Sequence, residues 1–247
     1  MQHLHDWNVS YAEARELQEQ LACKVSFRPL SKQPKLIAGL DCAFADGGKK
    51  IIAVVVVLKP DETHWPEGDK TEQPRNPSQF EQIETASAVQ NVTFPYIPGL
   101  LSFREAPACI AAIEKLRTEP DLFLIDGQGI AHPRRLGLAS HLGLFMDKPT
   151  IGCAKSRLTG TFDEPQSEKG AYTLLQDKPK SSDGAEPQTI GAVVRTRSNV
   201  KPLFISVGHK CSLDDAIRLT LACTTRYRLP EPTRLAHQLV SKLKTGV

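Results

Sequence analysis

Apolar positions along this 247-residue chain follow two periods, and the change between them organises the molecule. Near the start, Ser10 followed by Glu13 forms a capping-box pattern, and EARELQEQLAC predicts a helix running to Cys23. LIAGLDCAF (Leu36–Phe44) and IIAVVVVL (Ile51–Leu58) predict two strands, joined by a glycine-containing hairpin turn over Ala45–Lys50. Lys59 to Gln79 is polar and proline-rich, the pattern of a surface loop. Glu81 to Phe94 alternates as a third strand, so the sheet is expected to open as a meander. Beyond Pro95–Gly99 the spacing becomes helical. Ala108, Ala111, Ala112 and Leu116 predict a helix from Glu105 to Arg117. DLFLID (Asp121–Asp126) is then a strand, and a glycine-rich turn leads to a helix around Leu136–Phe145. PTIGCA (Pro149–Ala154), Thr189–Arg195 and Leu203–Val207 read as further strands, with a polar insertion at Gln176–Gln188. Leu213, Ile217, Leu221 and Thr224 mark one helical face, and Glu231–Lys244 predicts a last helix.

A hairpin meander followed by alternating helices and strands implies an α/β fold. It would be one mixed β-sheet, an antiparallel meander plus parallel strands, flanked by helices. No repeat or low-complexity tract divides residues 1–247, which are expected to form a single domain with surface insertions at about 59–79 and 176–188.

Composition removes several classes. With 24% charged and 40% hydrophobic residues, the chain is unlike disordered or collagen-like sequences. The longest apolar run, Ile51–Leu58, falls far short of the roughly 20 residues of a membrane helix. The first twenty residues lack an apolar signal core, so a cytoplasmic protein with no membrane partner is expected. The six cysteines have no zinc spacing and read as reduced thiols. A net charge of +3 permits a nucleic-acid partner without requiring one. No coiled-coil or swapped element is visible, so a monomer is expected.

Candidate chemistry lies with the acids. Asp126 closes an apolar strand and Asp41 sits inside one, although carboxylates are depleted there and costly to bury unpaired. Each alone is more simply read as a strand-end aspartate bonding a turn. Glu105 falls at the expected helix start, where it could merely complement the dipole, worth about 0.3–1 kcal/mol. Together the three could form an oxygen-rich site suited to Mg²⁺ or Mn²⁺, able to activate water and steady the oxyanion leaving a phosphodiester. After Asp126, Gly127 and Gly129 allow close backbone approach to a ligand, though neither a P-loop nor a dinucleotide fingerprint is present. His132 beside Arg134 and Arg135 could meet a phosphate or move a proton; a solvated charged loop is the alternative.

Six blocks taken in order, GLDCAF (39–44), PYIPGLLSFRE (95–105), IDGQGIAHPRRLGLASHLGL (125–144), IGCAKSRL (151–158), VGHKCSLDDA (207–216) and YRLPEPTR (227–234), resemble the motifs of endonuclease V. The resemblance covers most of residues 5–245 and omits mainly the two insertions. It implies a ribonuclease H-like fold and an Mg²⁺-dependent endonuclease, with Mn²⁺ able to substitute. Such enzymes nick DNA at the second phosphodiester 3′ to deoxyinosine and other deaminated bases, leaving 3′-hydroxyl and 5′-phosphate ends. Some members act mainly on inosine in single-stranded RNA, which nothing in this sequence excludes. A non-catalytic nucleic-acid-binding protein is the remote alternative, disfavoured by the presence of all three carboxylates.

By the same resemblance, Asp41, Glu105 and Asp126 are the metal ligands. Tyr96 is the wedge that fills the gap left by an everted base, carried on a stiff segment with Pro95 and Ile97. Lys155 is placed near the attacking water or scissile phosphate, and Arg157 at a phosphate. His209 belongs on the nucleophile side and His132 near the lesion-side backbone. Gly127, Gly129 and Leu136 line the base pocket. Two departures stand out: Gln128 replaces a common histidine, and His237 occupies a place where other members carry aspartate.

Overall fold

The computed structural model describes residues 1–61, 79–177 and 186–246. Its elements in chain order are α1 (Tyr11–Ala22), β1 (Ile37–Ala45), β2 (Lys50–Pro60), β3 (Phe80–Asn91), α2 (Leu101–Ile113), β4 (Leu122–Ile125) and α3 (Leu138–Met146). There follow β5 (Thr150–Ala154), β6 (Tyr172–Gln176), β7 (Thr189–Val194), β8 (Leu203–His209), α4 (Leu213–Ala222) and α5 (Glu231–Lys244). Among the described residues the strands form one eight-stranded sheet in the order β3-β2-β1-β4-β5-β8-β7-β6. β1, β4 and β5 run parallel to one another, and the other neighbours pair antiparallel. The meander and the parallel centre are therefore both present.

β2 explains its own uninterrupted apolar run. Ile52, Val54, Val56 and Leu58 pack with Ala236 and Val240 of α5, while Ile51, Ala53, Val55 and Val57 face Ala106, Cys109 and Ala112 of α2. A strand covered on both faces loses the period-two alternation. Each of these larger aliphatic side chains contributes roughly 1.5–3 kcal/mol by leaving water. Helices α2 and α5 thus cover opposite faces of the sheet. The approach of α5 is close: a Cβ on Gly39 would lie 2.0 Å from the carbonyl carbon of Pro232.

Two features differ from the sequence pattern. Helix α2 starts at Leu101 and contains Pro107, so Glu105 is its fifth residue and does not complement a terminal dipole. Proline is best tolerated in a first turn, which biases a pattern reading toward a later start. β6 is also new. It sits at the sheet edge with Tyr172 and Leu174 exposed and Leu175 buried, too little buried apolar surface to stand out in the sequence. Of the expected insertions, residues 62–78 and 178–185 lie outside the described residues. Among the described residues no helix is long and apolar enough to cross a membrane.

Candidate active site

Parallel pairing sets the first two carboxylates side by side. Leu40 of β1 is in register with Ile125 of β4, and the Asp126 N–H donates to the Leu40 carbonyl at 3.0 Å. The next residue along each strand is an aspartate. Asp41 is buried, and its Oδ1 accepts the Cys42 N–H at 2.8 Å. Helix α5 brings His237, whose Nδ1 lies 2.7 Å from Asp41 Oδ2. One ligand atom from each of Asp41, Asp126 and His237 falls within 4.8 Å of the others. Lys155, just past the C-terminal end of β5, forms an ion pair with Asp126 and stands 3.3 Å from His237 Nδ1. Lys155 is thus paired with Asp126, and His237 Nδ1 lies between Asp41 and the ammonium.

Glu105 reaches the same cavity from α2, outside the 4.8 Å group but electrically joined to it. Burial, then the charges of Asp41 and Asp126, push its carboxyl up to about 8, against hydrogen bonding from the Cys42 thiol and the nearby Arg104. Burial and the Asp126 charge likewise raise Asp41, opposed by His237, Lys155 and the Cys42 N–H. Three crowded carboxylates facing one ammonium form a site deficient in positive charge. Hard oxygen donors with one imidazole suit a small divalent cation, so the residues present fit the Mg²⁺ or Mn²⁺ that the sequence implied.

The cavity around these groups has a volume of about 530 Å³. Its rim is the 95–99 finger. The Ile97 carbonyl accepts the Leu100 N–H at 3.0 Å, and Gly99 has φ +78°, making a type II turn with Pro98 and Gly99 at its centre. Buried Phe94 packs on Phe103 with ring centroids 5.6 Å apart and anchors the finger's first end. Tyr96 is left 70% exposed at the cavity edge. Ile97 also lines the cavity, whereas Pro95 is exposed and does not.

Gly127 and His132 line the cavity as expected, but Gly129 and Leu136 do not. Gly129 is pressed against β8: its N–H donates to Ser206 Oγ at 2.9 Å, and a Cβ there would sit 2.0 Å from the Val207 carbonyl oxygen. Leu136 is fully buried in the core. Both support the loop from behind. Gln128 Nε2 donates to the Ser156 carbonyl at 2.9 Å, while its buried Oε1 has no partner among the described residues. The two arginines after His132 are engaged by protein: Arg135 pairs with Asp177, and Arg134 bonds Gln18 and Gly99 through Nε and Nη2. Arg157 bonds the Gly160 carbonyl at 3.2 Å and lies outside the cavity.

His209 requires correction. It pairs with Thr150 at the start of β5, whereas Lys155 follows that strand's other end, about 13 Å away at 3.3 Å per residue. Because β8 runs antiparallel to β5, the VGHK motif at its end is carried away from the carboxylates. The His209 ring instead accepts the Ser26 N–H at 3.1 Å and faces Asp147 at 3.7 Å. Conversely, two residues acquire a place at the site that sequence alone did not assign. His237 is one. Arg228 is the other: its Nη2 donates to the carbonyls of Lys155 at 2.8 Å and Pro202 at 2.7 Å, fixing the backbone that carries Lys155.

Comparison with known proteins gives the family and the fold. The family model of endonuclease V matches residues 19–238. Endonuclease V of Alkalilimnicola ehrlichii is 46% identical over 240 residues, covering 96% of this chain and 94% of that protein. The crystal structure of endonuclease V from Streptomyces avermitilis superposes with TM-score 0.81 at 37% identity, covering 97% of this chain and 95% of that one. Ciona intestinalis endonuclease V, in complex with a 24mer DNA containing an inosine followed by a ribo-adenosine, superposes with TM-score 0.74 at 27% identity, covering 95% of this chain and 97% of that one. The fold is ribonuclease H-like.

Proposed function

The chain belongs to the endonuclease V family and is a nuclease, and from that premise we propose how its site works. Its substrate is DNA containing deoxyinosine or another deaminated base. It nicks the second phosphodiester 3′ to the lesion and leaves 3′-hydroxyl and 5′-phosphate ends. The observation that carries this reading is the meeting of Asp41, Asp126 and His237 within 4.8 Å, beside Lys155 and below an exposed Tyr96.

Asp41, Asp126 and His237 would hold a Mg²⁺ or Mn²⁺ ion, with Glu105 completing the donor set from α2. When bound, such an ion lowers the pKa of a coordinated water and stabilises the departing oxyanion. Lys155, held by its backbone bond to Arg228 and its ion pair with Asp126, sets a positive charge where the scissile phosphate arrives. Tyr96 enters the stack as the damaged base swings out, and weak pairing of hypoxanthine lowers the cost of that eversion. His132 holds the lesion side of the cavity through the finger. One continuous eight-stranded sheet supports a single domain, and cysteines without zinc spacing, read as reduced thiols, support the cytoplasm. The chain is taken to act as a monomer.

A second reading is cleavage of inosine-containing RNA, favoured by the ribo-adenosine that follows inosine in the oligonucleotide bound by the Ciona protein. The deciding experiment is a nicking assay on matched deoxyinosine DNA and inosine RNA oligonucleotides, with Mg²⁺ or with chelator. Metal-dependent cleavage two phosphodiesters beyond deoxyinosine is expected. Cleavage of the RNA alone would transfer the assignment to the second reading, and chelator-resistant nicking would remove the metal site.

A further inference from the structure

The exposed Tyr96 ring depends on the root of its finger for its direction, and that root is held by a buried polar network. The Gly99 carbonyl accepts two hydrogen bonds, from Arg134 Nη2 at 2.7 Å and from His132 Nε2 at 3.0 Å. Arg134 Nε donates in turn to Gln18 Oε1 at 2.6 Å, and Gln18 Nε2 donates to the Leu136 carbonyl at 3.2 Å. Gln18 lies on α1 and is fully buried, 118 positions from Leu136. A buried amide costs stability unless its donor and acceptor are both used, and here both are used on the segment facing the finger.

The same contacts settle what His132 can do. Its Nδ1 accepts the Arg134 N–H at 3.2 Å, so the ring hydrogen resides on Nε2 and points at Gly99. Both ring nitrogens are occupied by protein, and the ring is 4% exposed. It is a hydrogen-bond donor to the finger and has no nitrogen left to carry a proton for the reaction.

We propose that Gln18 and Arg134 are positioning residues for lesion selection: with His132 they lock the Gly99 carbonyl, and thereby hold the Pro95–Gly99 finger at the angle that drives Tyr96 into a duplex. The proposal rests on the reading of Tyr96 as the wedge. Pro95 and Pro98 fix φ along the segment, so an error at its root is transmitted to the ring and not absorbed along the way. The guanidinium bond to Gly99 is charge-assisted and therefore the strongest member of the clamp. A side chain on Gly99 would oppose it twice, through the positive φ and through a Cβ only 2.9 Å from Arg134 Nη2.

The test compares the full-length native chain with Gln18→Leu and Arg134→Lys. Nicking is measured on deoxyinosine in a duplex and in the same strand alone, with amide hydrogen exchange across residues 96–101. Losing a charge-assisted bond should raise KM for the duplex by about tenfold while kcat holds. The single strand, which has no stack to open, should show a smaller KM change, and the 96–101 amides should exchange faster. A folding role alone would lower the melting temperature and leave the duplex-to-single-strand KM ratio untouched, which overturns the proposal. Native exchange at 96–101 together with native KM in Arg134→Lys, the conservative variant on a half-buried side chain, overturns it equally. If the native chain leaves deoxyinosine uncut, the wedge reading fails by itself, and the exchange comparison then decides the clamp.

Discussion

His237 Nδ1 stands 2.7 Å from Asp41 Oδ2, across 196 positions of sequence and between a terminal helix and the first strand of the sheet. The contact gives one buried carboxylate an imidazole partner while Lys155 serves the other. A contact between elements so far apart in sequence makes the site dependent on how α5 is docked, as well as on the strands beneath it.

Removal of either strand carboxylate should end catalysis. Asp41→Ala and Asp126→Ala are each expected to lower nicking in Mg²⁺ by about a thousandfold or more, equivalent to about 4 kcal/mol of lost transition-state stabilisation. Binding to inosine DNA in a gel-shift assay should survive. Full nicking by either variant contradicts the metal-site assignment.

For His237→Ala the expected change is in metal affinity. The Mg²⁺ concentration for half-maximal nicking should rise by roughly 10- to 100-fold, the usual range when a ligand or its orienting partner is removed. A Mn²⁺ titration by calorimetry checks this without relying on turnover. An unaltered Mn²⁺ isotherm would exclude His237 from the donor set.

Tyr96→Ala should weaken discrimination between inosine-containing and undamaged duplex more than it weakens general DNA affinity, as read by footprinting on both. The ring is 70% exposed, so folding stability should stay within about 0.5 kcal/mol of the native value. Equal losses on both duplexes would argue against a wedge.

The docking of α5 can be tested at Gly39. A Cβ there meets Pro232 backbone at 2.0 Å, a neighbour that cannot rotate away. Gly39→Ala should cost at least about 1–3 kcal/mol, the range for overpacked cores, and should weaken metal binding by displacing His237. Thermal melting and the Mn²⁺ titration measure the two effects separately.

Acid should loosen the N-terminal segment. His5 Nε2 and His141 Nε2 are 2.7 Å apart in a cage that includes Trp7, Phe103 and Phe145, and His141 Nδ1 bonds Ser102 Oγ at 3.1 Å. Burial holds both rings below the ordinary histidine value, and burial followed by the Arg134 charge takes His132 down to about 4. The unfolded chain therefore binds more protons than the folded one below about pH 6.5. Stability should be fully present above that pH and should fall on acidification by roughly 1.4 kcal/mol per pH unit per affected group, down to about pH 4 for His132. Melting temperatures between pH 4.5 and 8 test the sign, and His141→Gln should flatten the slope.

Much of the fold was legible because its signals are local. The capping box at Ser10 and Glu13, the runs of β1 and β2, and the amphipathic face of α5 are each set by neighbours a few positions apart. Asp41 and Asp126 could be singled out for a related reason: a carboxylate inside or closing an apolar strand stands out against the pattern, whereas Lys155 came only with the family resemblance. β6 could not be read, because a half-exposed edge strand buries too little to leave a periodic trace.

By itself, the sequence determined the mixed sheet through short-range periodicity, and the family, with Asp41, Glu105, Asp126 and Lys155 as its site residues, through the resemblance of its motifs. Only the tertiary structure decided that His209 lies at the far end of β5, that His237 closes on Asp41, and that Arg134 bonds Gly99. Those outcomes depend on strand direction and helix docking. Both follow from long-range burial of apolar faces, which brings together groups that no local pattern relates.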